Sequence, residues 1–350
     1  MSGQDSGYTK SDEQQDLESL DPDGNLILSI EGQNTRRFLV SSKVLSLGSA
    51  VLAKLLGPGF REGKQITESH CPTISLHDDD PACMRTILGI LHYKGSGEDQ
   101  MNAERLALMA IHCDKYDCIK ALRPWIFKWF YDCQPITTDE EYGYLLLSAH
   151  LFREKDQFSR LSASAQTQLS PEFIIKWQGI DILKLLPDAT KGDLADHIEN
   201  LQQEIMHELQ SLEGSLRNNQ RGFEMQGLVC VRCGRTYPNS AGRCHACRNQ
   251  QLCVKYCTAD YRVAEYFSAL RKSELWPSVQ PFRICSAETI ALRISGAKAT
   301  LGHSCGAGNA CPLEMELDML ARKVNTILQK VKGFELYPLY QKDDSRERIQ

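Results

Sequence analysis

Two Cys-x-x-Cys pairs, Cys230 with Cys233 and Cys244 with Cys247, stand ten residues apart and constrain this chain more tightly than any other feature. Each pair presents two thiolates on one side of a tight turn, and two pairs complete the tetrahedron that structural zinc prefers. Gly234, directly after the first pair, suits a turn that aims backbone N–H groups at the sulfurs. The surrounding loop has few large apolar residues, chiefly Leu228, Val229, Tyr237 and Leu252, so a metal would have to stand in for a missing core. Four thiolates leave no open coordination position, and the expected role is structural. The chain holds 14 cysteines in 350 residues, which fits the cytoplasm or nucleus, where thiols stay reduced. Residues 1–20 are polar and lack the apolar stretch of a secretory signal, and no apolar run approaches the ~18 residues of a membrane span.

More candidate ligands follow. Cys253 and Cys257 come after the second pair, and His303, Cys305 and Cys311 lie in a Gly-rich segment further on. A ribbon built on Cys230, Cys233, Cys244 and Cys247 is the simplest arrangement, with Cys253, Cys257 and the distant trio left for a second site. The run of six cysteines also resembles the front of a MYND-type cross-braced finger, in which the first pair would join Cys253 and Cys257. That pattern expects a His and a Cys shortly afterwards. Here Glu265 occupies the matching His position and no cysteine lies between Cys257 and Cys285.

The first third of the chain carries a different message. Leu26, Leu28 and Ile30 alternate with Ile27, Ser29 and Glu31, and Phe38 and Val40 flank Leu39, so the pattern predicts two strands joined by a polar turn at residues 32–35. Asp80 can cap a helix that begins at Pro81 and runs through Met84, Ile87, Leu88 and Leu91. Two further helices follow from Leu106, Met109, Ala110 and Cys113, then from Ile119, Leu122, Ile126 and Trp129. Pro124 must kink the second of these or open a new turn.

The element V-S-S-K-V-L-S at residues 40–46, Phe60-Arg61-Glu62, and the run D-K-Y-D-C followed by Pro124-Trp125 and Trp129 together resemble the BTB/POZ domain, in the form common in filamentous fungi. The resemblance covers about a third of the chain. It implies a mixed α/β protein-interaction module that works without chemistry and self-associates through its N-terminal strand and first helices. Phe60 and Glu62 match the hydrophobic-x-Glu element that adaptors of this family direct toward a cullin. The expected organisation is α+β: an acidic disordered tail at 1–20, a BTB/POZ-like domain at 21–135, a helical extension at 136–190, a long amphipathic helix at 191–220, a cysteine-rich zinc region with its C-terminal helix at 226–340, and a charged tail at 341–350.

In the later helices, Thr138 or Asp139 opens one segment and a second runs over residues 155–168. The stripe Leu194, Ile198, Leu201, Ile205, Leu209, Leu212 and Leu216 marks a long helix that starts at Gly192-Asp193, a packed amphipathic helix linking two domains in preference to a dimerising coiled coil. Leu313, Leu317, Leu320, Val324, Ile327 and Val331 mark a last helix that ends at Gly333. Six basic residues (Arg232, Arg235, Arg243, Arg248, Lys255 and Arg262) face only Asp260 in the cysteine region, a pattern able to meet phosphates. The cysteine spacing fits neither a fungal binuclear cluster nor a C2H2 finger, and arginines around thiolates have an ordinary charge-balancing role. Nucleic acid is therefore not the expected partner. No P-loop, G-x-S-x-G or H-E-x-x-H motif occurs. The sequence reads as a non-enzymatic interaction scaffold, with a cullin-RING ubiquitin ligase adaptor and a transcriptional regulator as the alternatives.

Overall fold

A computed structural model of the chain describes residues 17–32, 34–95, 101–276 and 279–336. The fold is mixed α and β, mostly helical, with two small sheets. It divides into two compact units. One comprises residues 1–161, 180–186 and 335–350, and the other 162–179 and 187–334.

In the first unit a four-stranded sheet is ordered β1-β3-β2-β4, from strands β1 (Leu17–Ser19), β2 (Leu26–Ile30), β3 (Arg36–Val40) and β4 (Thr73–Leu76). Strands β2 and β3 pair antiparallel with Leu26 opposite Val40 and Leu28 opposite Phe38. Strands β1 and β4 add in parallel on either side. The period of two puts Leu26, Leu28, Ile30, Phe38 and Val40 on one fully buried face. The sequence assigns residues 17–19 to the acidic tail, and their pairing with β3 moves them into the sheet. Residues 1–16 and 341–350, the bulk of the two expected tails, lie outside the described residues.

Helices α1 (Ser42–Gly48), α2 (Ala50–Leu55) and α3 (Arg61–Glu68) are short. Ser41 caps α1 and Ser49 caps α2, each hydroxyl accepting a first-turn N–H. Helix α4 (Pro81–Leu91) begins as its sequence dictates, with Asp80 Oδ1 accepting from Cys83 N at 2.7 Å. Helices α5 (Ala103–Lys115) and α6 (Ile119–Asp132) bury Leu106, Met109, Cys113, Leu122, Ile126 and Trp129. Pro124 opens no new turn. It sits inside α6, and only the carbonyl four residues back loses a helical N–H. Helix α7 (Asp139–Leu151) starts with a full capping box from Thr138 and Glu141, and α8 (Lys155–Gln168) follows.

Asp79 anchors the turn before α4. Its carboxylate is buried, with Oδ2 accepting from Tyr116 Oη at 2.5 Å and Oδ1 2.8 Å from Lys115 Nζ. Next to it, Asp80 N donates to His112 Nε2 at 2.7 Å, which requires a neutral ring. Burial, outweighing the pull of Asp79 and Asp80, holds His112 below its ordinary value, and burial does the same to His150. The unfolded chain therefore takes up protons first as the pH falls. Stability from these rings is full above their ordinary value near 6.5 and declines below it. The urea midpoint of the first unit should fall between pH 7 and pH 5.5, and His112→Gln, which keeps an acceptor without a titrating ring, should flatten part of that slope. An equal slope in the variant would show that His112 is not a source.

The second unit contains α9 (Phe173–Gln178), α10 (Asp188–Asn218), β5 (Phe223–Cys230), β6 (Thr236–Tyr237), β7 (Leu252–Cys257), α11 (Ala259–Lys272), α12 (Pro281–Ile284), α13 (Ala287–Ala297) and α14 (Pro312–Gln329). Helix α10 begins five residues before the expected Gly192-Asp193 start, directly after Pro187, so that glycine is accommodated inside the helix. Its apolar stripe is buried, and Leu201, Ile205, Leu209, Leu212 and Leu216 share one core with residues of α11, α13 and α14. The stripe is thus satisfied within the chain and is not left as a coiled-coil seam. Helix α14 stops at Gln329, four residues short of the expected Gly333, where Lys330 N already bonds back to the last turn. No described helix is long and apolar enough to cross a membrane.

Candidate metal centres

Strands β5 and β7 form an antiparallel ribbon, with β6 on the other side of β5. At one end Cys230 lies opposite Leu252, and at the other Phe223 lies opposite Cys257. Each end of the ribbon therefore delivers a cysteine to a separate cluster. One holds Cys230, Cys233, Cys244 and Cys247, the other Cys257, His303, Cys305 and Cys311, and within each the ligand atoms lie within 4.8 Å of one another.

The first cluster is built from two matching turns. Gly234 N donates to Cys230 O at 2.9 Å, and Gly234 takes φ +70°. Arg248 holds the equivalent place after Cys247 with φ +58°. Glycine enters this region freely, whereas a side chain pays a steric penalty there. Arg248→Gly should consequently raise the ribbon's resistance to thermal unfolding, by up to about 1 kcal/mol, with metal content unchanged. A lower melting temperature would show that the arginine side chain outweighs its backbone strain.

Sulfur separations are 3.5 Å for Cys230–Cys247 and 3.4 Å for both Cys233–Cys244 and Cys244–Cys247. These are too long for disulfides and close to the edge of about 3.8 Å that four Zn–S bonds of about 2.3 Å define. Tyr237 Oη lies 3.1 Å from Cys244 Sγ, and Cys247 N donates to the same sulfur at 3.4 Å. Partial burial works against ionising Cys244, yet hydrogen bonds from Tyr237, the Cys247 amide and the Cys247 and Cys233 thiols bring it down to about 5. It is then a thiolate at neutral pH, the form that binds metal. Little else holds this end together. Leu228, Val229 and Leu252 are only half-buried, and Val231 is 62% exposed.

The second cluster is part of the core. Cys257, Cys305 and Cys311 are buried among Tyr266, Ile294, Leu313 and Leu317. Cys257 Sγ and Cys311 Sγ are 4.0 Å apart, and His303 Nε2 is 3.1 Å from Cys311 Sγ. Burial holds His303 below its ordinary value, leaving the neutral imidazole a ligand needs. Burial also raises Cys257 and pushes Cys311 up to about 12, so metal loading here would release protons. The segment carrying His303 and Cys305 is fixed by Gly306 N donating to Glu224 O at 2.6 Å and Gly302 N to Glu265 Oε1 at 3.2 Å. Glu265, at the MYND histidine position, thus orients the loop and is no ligand.

Cys253 is corrected by this geometry. It was expected among the second group, but it is exposed and its thiol donates to Val229 O at 3.6 Å, because it sits opposite Val229, four residues and roughly 13 Å along β7 from Cys257. Arg262 leaves the basic surface set, since it is fully buried. Arg232, Arg235, Arg243 and Arg248 are exposed, and Lys255 Nζ sits 4.2 Å from the Tyr261 ring centroid. In the first unit, Phe60 is 51% exposed and Glu62 half-buried at the start of α3. Arg262 is the site residue that spacing missed, and its only sequence signal was a charge at the first turn of α11. No family model matches the chain, and no curated protein matches it.

Proposed function

We propose that this chain is a non-enzymatic protein-interaction scaffold, in which a BTB/POZ-like unit makes the contacts and a second unit is stiffened by two structural zinc ions. The observation that carries the reading is the apolar surface on the short helices of the first unit. Leu47 is 82% exposed, Val51 39% and Phe60 51%, and Leu17 in β1 is 41% exposed. A monomer gains nothing from a leucine held so far into water, whereas an interface core uses it. Zinc is supported by the all-sulfur and sulfur–histidine donor sets, which suit a soft-tolerant tetrahedral ion and leave no position for substrate.

Light scattering of the full chain should give a mass above that of a monomer at high micromolar concentration. Leu47→Glu should return it to the monomer. A monomeric parent would remove self-association, and the exposed Phe60 beside Glu62 would then favour the cullin-adaptor reading, checked by co-purification of a cullin with the parent and its loss in Phe60→Ala.

A further inference from the structure

Arg262 is fully buried, and among the described residues its guanidinium bonds to carbonyls and a sulfur and to no carboxylate. Its Nη1 donates to Cys257 O at 2.8 Å and Arg221 O at 3.0 Å, and lies 3.6 Å from Cys257 Sγ. Its Nη2 donates to Asn219 O, the residue that closes α10. The Nε is buried with no hydrogen-bond partner among the described residues. A guanidinium held among neutral carbonyls alone carries a heavy desolvation cost, so a permanent charge in this place needs an anion. Its position in the first turn of α11 worsens the conflict, because the positive end of a helix repels a cation.

The group placed to supply that anion is the second centre in its metal-loaded form. Three cysteine thiolates and one neutral histidine around a divalent cation sum to a net charge of −1. Two helix N-termini also point at that charge: Cys257 directly precedes Thr258, the N-cap of α11, and Cys311 is the N-cap of the 18-residue α14. Arg262, Lys255 and the two helix dipoles fit an anionic complex and not a cluster of protonated thiols, and they oppose the carboxylates of Glu265 and Glu314 that also act on His303.

We propose that Arg262 is the counter-charge of the second metal centre, neutralising a divalent cation held by Cys257, His303, Cys305 and Cys311, and that it ties loading of that centre to the end of α10. The inference rests on the two-metal reading above. The guanidinium reads the centre's charge through Cys257 Sγ and reports it to the Asn219 and Arg221 carbonyls, where the chain leaves α10 and enters β5. Removing the metal leaves the arginine without its anion, and the junction loosens. The first centre has no such device. Its four thiolates would carry −2 with a divalent cation and rely on water and the exposed arginines around them.

The test uses the full chain, loaded with zinc or with cobalt(II) as the optical probe. The parent should hold two equivalents; one equivalent would sink the two-metal reading before Arg262 is addressed. Arg262→Met should weaken the second equivalent by about 10- to 100-fold in chelator competition, as loss of a partner to a metal ligand commonly does, with the first unchanged. Arg262→Lys should retain most of the affinity. The deciding variant is Arg262→Met combined with Cys305→His, whose centre of two thiolates and two imidazoles is neutral with a divalent cation and needs no counter-charge. It should recover the second equivalent, with cobalt absorption bands shifted for the lost thiolate. A residue that merely clamps carbonyls would not be rescued by changing a ligand. Arg262→Met with parental affinity, or a double variant no better than Arg262→Met alone, overturns the proposal.

Discussion

Replacing Cys257 or Cys311 with Ser is expected to cost the chain one of two metal equivalents and the packed state of its second unit, whereas Cys233→Ser should unravel only the ribbon tip. The difference follows from what surrounds each cluster. Cys257 and Cys311 lie inside the core formed with α10, α11, α13 and α14. Metal coordination is worth on the order of 10 kcal/mol in small zinc peptides, comparable to the whole stability of a domain. Losing it also strands Arg262 and buries a hydroxyl where a ligand stood. Cys233 is exposed and the apolar residues at that end, Leu228, Val229 and Leu252, are half-buried at most, so its loss removes metal from a region with little core to lose. Trp276, 5.0 Å from Phe267 by ring centroids, and the buried Trp177 report on the second unit by fluorescence. Cys257→Ser should abolish the cooperative transition seen by that signal, and Cys233→Ser should leave it close to the parent's. Equal effects of the two substitutions would mean that the centres are not separated as the ribbon geometry requires.

Much of the fold was legible because its signals are local. Asp80 before Pro81, Thr138 at the start of its helix, and the alternation of Leu26, Leu28 and Ile30 each act within one turn or one strand, and the structure uses all three. Errors arose where packing overrode a local preference. Gly192 reads as a helix start, yet α10 runs through it, since the buried Thr190 and Leu194 on either side hold the helix together. Leu17 and Ser19 are too few to read as a strand, and only β3 makes them one.

The metal centres were half legible for a related reason. Cys-x-x-Cys is a local geometry, and its two copies named the first cluster. The second joins the end of β7 to a loop 46 residues later, and no spacing rule links Cys257 to His303. Cys253 and Cys257 look equivalent in sequence. They differ in fold because Cys253 lies near the exposed end of the strand, opposite Val229, whereas Cys257 ends the strand inside the core. Arg262 was read as surface charge for the same reason, since its burial depends on the carbonyls of Asn219 and Arg221 some forty residues away.

In the first unit, Asp79→Ala is expected to be the most damaging single substitution outside the apolar core, at about 3 kcal/mol, the lower end of what breaking a buried charge pair costs. Lys115 is 41% exposed and can turn to water, which limits the loss on its side. Tyr116 cannot turn. Its ring is buried, and burial together with the hydrogen bond to Asp79 holds the phenol well above its usual range, so the proton stays on Oη and needs an acceptor. Alanine supplies none and leaves a hole beside it. Asp79→Asn keeps an acceptor while losing the charge and should cost about half as much, and Tyr116→Phe about 1–3 kcal/mol. Because the two side chains share one bond, Asp79→Asn with Tyr116→Phe should cost less than the sum of the single changes. Urea unfolding followed by the buried Trp129 reads all four variants. A strictly additive double variant would show that the carboxylate holds the turn through Lys115 and not through Tyr116.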